Sequence, residues 1–108
     1  MVLDNLQLIT YNVKGIQSKN KRLRIIEFLK NKISSEGILF LQETHSTVND
    51  ETHWSVDFNG LVHYSHGQSN SCGVLICFSD SLKAFVKNKL TDTKGRILIL
   101  DVIINEAE

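Results

Sequence analysis

The sequence predicts an α/β fold built on a mixed sheet with a helix on one side. Three observations carry this. The apolar pattern runs strand, helix, strand, and then four further strands. The second strand, Ile38-Leu-Phe-Leu41, is continuously apolar, as a strand covered on both faces must be. The later strands are separated by short polar turns, which join antiparallel neighbours, whereas the first two strands are joined through a helix and should be parallel in a right-handed βαβ unit.

Each element has its own signals. Leu6 to Tyr11 reads as a strand, bounded by Asp4-Asn5 before it and by Asn12 to Gly15 after it. Ser18 to Lys32 reads as a helix. At about 100° per residue, Ile25, Ile26, Leu29 and Ile33 share one face, with Leu23 at its margin. Ser18 or Asn20 suits the N-cap, and Gly37 supplies a stop. Residues 44–57 read as a loop or a short irregular helix. Leu61 to Ser65 is the next strand, Gly67 to Ser71 a polar turn, and Cys72 to Phe78 a strand. Strands at 83–90 and from Arg96 to Asn105 follow, with a turn from Asp92 to Gly95 between them.

The 108 residues match the commonest size of one compact domain. With 42% hydrophobic and 22% charged residues, the composition is globular rather than disordered. There is no proline, so Gly, Asn, Asp and Ser must make the turns. No apolar run reaches the roughly 18 residues of a membrane helix, and the N-terminus lacks the basic region of a secretory signal. Cys72 and Cys77, five positions apart on one strand, would be separated by roughly 16 Å, too far for a disulfide. Free thiols fit an intracellular protein of nucleus or cytoplasm, with no membrane partner.

Twelve basic residues balance twelve acidic ones, but they are segregated. Lys19, Lys21, Arg22, Arg24, Lys30 and Lys32 crowd the helix, with Glu27 the only acid among them. From Ile33 to Leu82 there is no Lys or Arg, but there are six acids. Such a positive element is either a solvated helix face or a contact for a phosphate backbone.

The βαβ unit has a chemical consequence. Parallel neighbours end at the same sheet edge, so Asn12 and Glu43 can converge across a strand spacing of about 4.8 Å. Ligands of open α/β sheets bind at that edge. An amide and a carboxylate there could hold a hydrated Mg²⁺ or orient a phosphate; equally, they could be a turn residue and an exposed strand-end acid. The four histidines, His45, His53, His63 and His66, show no short ligand pair of zinc-site spacing, although His45 can reach the rim of this edge. Trp54 and Tyr64 suit either base stacking or burial.

The segments Leu8-Ile-Thr-Tyr-Asn-Val-Lys-Gly-Ile16 and Ile38-Leu-Phe-Leu-Gln-Glu-Thr-His45 resemble the first two signatures of the endonuclease/exonuclease/phosphatase superfamily. The Gln-Glu-Thr-His wording is most similar to the apurinic-endonuclease-like domain of LINE-type (non-LTR) retrotransposons. Ser65 to Ile76 and Gly95 to Asp101 resemble two further stretches, so the likeness runs from residue 6 to about 105. It implies a two-sheet α/β sandwich flanked by helices, of which residues 1–108 are the N-terminal part. It also implies a divalent-metal-dependent phosphodiesterase acting on DNA.

By that resemblance, Asn12 and Glu43 are the catalytic residues, with Glu43 and Asn12 at the ion, Mg²⁺ or its substitute Mn²⁺. Gln17, Ser18, Arg22, Asn70 and Arg96 fall where relatives face nucleic acid. The resemblance also marks what does not match: a later Tyr, an Asp-x-Asn and a closing Ser-Asp-His, whose histidine and aspartate do the acid–base work. General-base catalysis contributes about 10²–10⁴-fold, so the isolated chain is expected to be inactive or nearly so. Its expected partners are DNA, the remainder of the nuclease domain, and a reverse transcriptase in a longer parent chain. Lys14 stands where relatives often have Asp or Asn. Two other readings fit the same residues: a non-catalytic DNA- or partner-binding remnant, and part of a phosphatase- or sphingomyelinase-type phosphoesterase. Half a sandwich should also expose an apolar sheet face and unpaired strand edges.

Overall fold

The computed structural model describes residues 6–33, 36–68 and 71–104. Its elements are β1 (Gln7–Asn12), α1 (Lys19–Lys32), β2 (Gly37–Gln42), a single 3₁₀ turn (Val48–Asp50), α2 (Glu51–Phe58), β3 (Leu61–Ser65), β4 (Val74–Phe78), β5 (Ala84–Thr91) and β6 (Leu98–Ile104). Four strands form one sheet in the order β1-β2-β4-β3, and β5 and β6 form a second. The β1–β2 pair is parallel, and β2–β4, β3–β4 and β5–β6 are antiparallel. This is a mixed α/β sandwich, as the sequence pattern predicts.

Strand alternation explains the apolar run of β2. Leu39 and Leu41 face one side with Leu75 and Cys77 of β4, where Ile26 and Leu29 of α1 and Trp54 and Phe58 of α2 cover them. Ile38, Phe40, Ile76 and Phe78 face the other side, under Val86, Leu98, Leu100 and Val102 of the β5–β6 hairpin. Successive side chains point to opposite faces, so a strand between two layers must be apolar throughout. The hairpin covers β2 and β4 but leaves β1 bare on that side: Leu8 is 61% exposed. Phe85, Leu90, Ile99 and Ile103 are exposed on the hairpin.

Three boundaries differ from the sequence pattern. The segment 44–57 contains a 3₁₀ turn opened by a Thr47–Asp50 capping box and running into the regular helix α2, which is ended by Asn59, whose left-handed backbone donates to the Ser55 and Val56 carbonyls. The strand expected from Cys72 begins at Val74, because Cys72 and Gly73 hold φ of 59° and 93°. Both thiols are free, with Cys77 buried and Cys72 half-buried. The last strand begins at Leu98 rather than Arg96, since the Arg96 and Ile97 amides turn back to the Asp92 carboxylate. No helix among the described residues is long and apolar enough to cross a membrane.

Candidate metal and nucleic-acid site

Register places Asn12 beside Gln42, so Glu43 is the first residue past the adjacent parallel strand. The loops leaving the two strands are then laced together. Val13 N–H donates to the Gln42 carbonyl (2.9 Å), Gly15 to Glu43 (2.6 Å) and Ile16 to Thr44 (3.1 Å). From the other side, Thr44 N–H reaches the Gly73 carbonyl (3.1 Å) and His45 N–H the Cys72 carbonyl (2.8 Å). Val13 and Ile16 are buried and anchor the first loop in the core.

Left-handed backbone gathers at this edge among the described residues. Lys14, Glu43, His45 and Cys72 have φ between 53° and 60°, four of the five positive-φ residues other than glycine among those described. A left-handed backbone at a residue with a Cβ costs about 1–2 kcal/mol, and such strain gathers at functional sites. The strain has a visible effect: Thr44 and Ser46 are buried against each other (2.9 Å), while Glu43 and His45 stay accessible beside the β1–α1 loop.

Asn12 is exposed, and its Oδ1 accepts from the Lys14 amide (3.0 Å). Glu43 Oε1 lies 3.4 Å from His45 Nε2, and the carboxylate side chain is 46% exposed. Among the described residues, no group of three or more His, Cys, Asp or Glu side chains is placed to hold a metal. Two of the histidines are engaged elsewhere. His66 bridges Ser46 (2.9 Å) and Glu51 (2.6 Å), and His53 lies 3.7 Å from Asp50. The donors available at this edge are thus the accessible Glu43 carboxylate and, at the end of the neighbouring strand, the exposed Asn12 amide. That set fits a hard cation that keeps most of its water, such as Mg²⁺, and not a closed zinc centre.

The residues expected at nucleic acid are dispersed in role. Ser18 is the N-cap of α1, its Oγ accepting from the Lys21 amide. Gln17 donates from Nε2 to the His45 carbonyl (2.8 Å) and to Asp50 Oδ2 (2.7 Å), clamping the two loops together. Burial pushes the Asp50 carboxyl up, but the Gln17 and Thr47 hydrogen bonds outweigh it and hold it below the ordinary range. Arg96 is exposed and lines a cleft of about 230 Å³ with Phe40, Gln42, Val74 and Leu98, next to the Glu43 edge. Its turn is pinned by Asp92, which accepts from the Arg96 and Ile97 amides (3.1 Å each) and from Ser65 Oγ. Asn70 lies outside the described residues.

Arg22 is a correction. It is 2% exposed, and its guanidinium is spent inside the protein. Nε and Nη2 each lie 3.0 Å from Asp57 Oδ2, Nη1 donates to the Ile16 and Gln17 carbonyls, and the group stacks 5.0 Å from the Trp54 ring centre. It therefore welds α1 to α2 and is not available to a phosphate. Lys30 donates to the Phe58 carbonyl and Lys21 to the Lys14 carbonyl, so Lys19, Arg24 and Lys32 carry most of the open charge of α1. Trp54 and Tyr64 are buried, which removes them as base-stacking platforms.

The clamp of Gln17 on Asp50 and the packing of His45 on the first loop carry no local sequence signal, because the partners are about 30 residues apart.

No family model matches the chain. It is 33% identical over 97 residues to the Transposon TX1 uncharacterized 149 kDa protein of Xenopus laevis, a match spanning 90% of this chain. The chain covers only 7% of that protein's length.

Proposed function

We propose that this chain is transposon-derived and carries the Asn12–Glu43 half of a divalent-metal-dependent phosphodiesterase site acting on DNA. The observation that carries the reading is that Asn12 ends β1 and Glu43 follows the adjacent parallel strand at the same sheet edge, Glu43 on a left-handed backbone. The similarity to a transposon protein supports the origin. The Asn-x-x-Gly and Gln-Glu-Thr-His wording supports the superfamily and its LINE-type nuclease branch.

In this reading Glu43 and Asn12 hold Mg²⁺ or Mn²⁺. A divalent ion would supply polarisation of the phosphodiester and stabilise charge on the leaving oxygen. The chain's own residues do the rest. Gln17 fixes the loop carrying Glu43, Lys14 N–H orients the Asn12 amide, and Arg96 offers a cation at the adjacent cleft. The described residues provide no general base beside Asn12 and Glu43 other than His45, whose ring is engaged with Glu43.

The test is Mn²⁺ uptake followed by electron paramagnetic resonance, alongside plasmid nicking in Mg²⁺. The expected result is Mn²⁺ binding that disappears in Glu43→Gln, with nicking absent or nearly so. Uptake unaffected by Glu43→Gln would overturn the reading. A non-catalytic DNA-binding role has its own observation, the exposed Lys19, Arg24 and Lys32 on α1. It predicts salt-sensitive DNA binding that ignores the metal.

A further inference from the structure

We infer that His45 is a positioning residue for Glu43, and that Gly15 exists as the clearance that lets the imidazole stand there. The inference rests on Glu43 being the cation ligand.

His45 is held from every side. Its backbone N–H donates to the Cys72 carbonyl (2.8 Å), and its carbonyl accepts from Gln17 Nε2 (2.8 Å). Its backbone sits at φ 60°, and its ring lies on the same side as the Glu43 carboxylate. The ring then lies against Gly15. A Cβ built there would stand 2.6 Å from His45 Nδ1, closer than real Cβ atoms approach, and 3.0 Å from Cε1. Gly15 itself has φ 80°, so a side chain is disfavoured there twice, by backbone and by the ring. With Nδ1 against Gly15, Nε2 faces Glu43 Oε1 at 3.4 Å. One carboxylate oxygen is thus turned to the protein, and among the described residues the other has no hydrogen-bond partner. A half-exposed glutamate would otherwise sample several rotamers. Holding one oxygen selects the orientation in which the other is presented, which is what groups hydrogen-bonded to metal ligands do elsewhere.

A purely structural His45 would be expected to change stability and leave cation affinity alone, so affinity is the readout. Mn²⁺ titration by electron paramagnetic resonance would compare the wild-type chain with His45→Ala, His45→Gln, Gly15→Ala and Glu43→Gln. Circular dichroism would confirm that each is folded. Loss of such an orienting partner costs about 10–100-fold in metal affinity. Given the long 3.4 Å contact, about tenfold is expected for His45→Ala. His45→Gln should recover most of it, since its amide can reach the same oxygen. Gly15→Ala should reproduce the loss by pushing the ring away while removing no side chain. If Gly15→Ala fails to fold, the two His45 variants decide alone. Binding as tight as wild type in His45→Ala, while Glu43→Gln abolishes it, would overturn the inference and leave the metal site standing. No Mn²⁺ uptake by the wild-type chain would bring down the site itself, and the inference with it.

Discussion

Arg22→Ala should unfold much of the molecule's stability margin. The residue's side chain is 3% exposed and Asp57's is 14%, so the pair is shielded from water. Truncation removes two contacts to Asp57 Oδ2 and two donated hydrogen bonds to the Ile16 and Gln17 carbonyls, and takes a cation off the Trp54 face. Breaking a buried pair by deleting one partner costs about 3–5 kcal/mol, mostly because the surviving charge is left uncompensated. Folded domains have about 5–15 kcal/mol in total. With a urea slope of about 1–3 kcal/mol per molar for small proteins, the midpoint should fall by about 2 M. The assay is urea unfolding followed by circular dichroism and by fluorescence of Trp54, the chain's only tryptophan. Asp57→Ala should cost a similar amount, and the double variant less than the two singles together, because neither charge is then left alone. Arg22→Lys should recover little, since an ammonium cannot span carboxylate and carbonyls at once. The reasoning is refuted if Arg22→Ala leaves the midpoint near wild type while lowering the salt slope of DNA binding by about one, the mark of a lost phosphate contact.

Three other outcomes are expected. His63 is held below the ordinary histidine range by burial and then by Lys89, so the unfolded chain takes up its proton first. Stability should therefore be full above about pH 6.5 and fall as the pH drops below it, and His63→Phe should flatten that slope in acid-titration melts. Burial raises the Cys77 thiol to about 11, so mass spectrometry after iodoacetamide at pH 8 should find Cys72 labelled in the native protein and Cys77 only after unfolding. A Cβ at Gly95 would come within 2.6 Å of Gly67 Cα and of the His66 carbonyl carbon at φ 70°. Gly95→Ala should then lower stability by about 1–3 kcal/mol, visible as a lower thermal midpoint; an unchanged midpoint would mean the turn relaxes freely.

The extents of legibility differ from element to element. The α1 face of Ile26, Leu29 and their neighbours was readable because a helix repeats its burial every 3.6 residues, and Leu39 and Leu41 against Ile38 and Phe40 follow the strand period of two. That Asn12 and Glu43 leave adjacent strands at one sheet edge was readable from topology alone, since parallel strands joined by a helix must end together. α2 was half legible: the sequence read 44–57 as a loop or short irregular helix, because its apolar positions Trp54 and Phe58 form too short a stripe to announce a regular helix. Cys72 departs from the strand pattern because its backbone is left-handed there, while its carbonyl accepts from the His45 amide about 27 residues away, a contact no local pattern announces.

The sequence by itself determined the order of elements, the two-faced burial of β2, and the sheet edge at which Asn12 and Glu43 leave their strands. These depend on periods and connections only a few residues long. The tertiary structure alone decided which polar groups remain available. Arg22 looks like its basic neighbours in the sequence, yet its position under Asp57, 35 residues away, turns it from a surface cation into a buried tie. Gln17 becomes a clamp through Asp50, 33 residues on, and His45 a prop for Glu43 because Gly15 leaves room. Local pattern sets which face a residue joins. Only packing sets the partner it meets there, because burying a charge or amide is tolerable only where a matching group already stands.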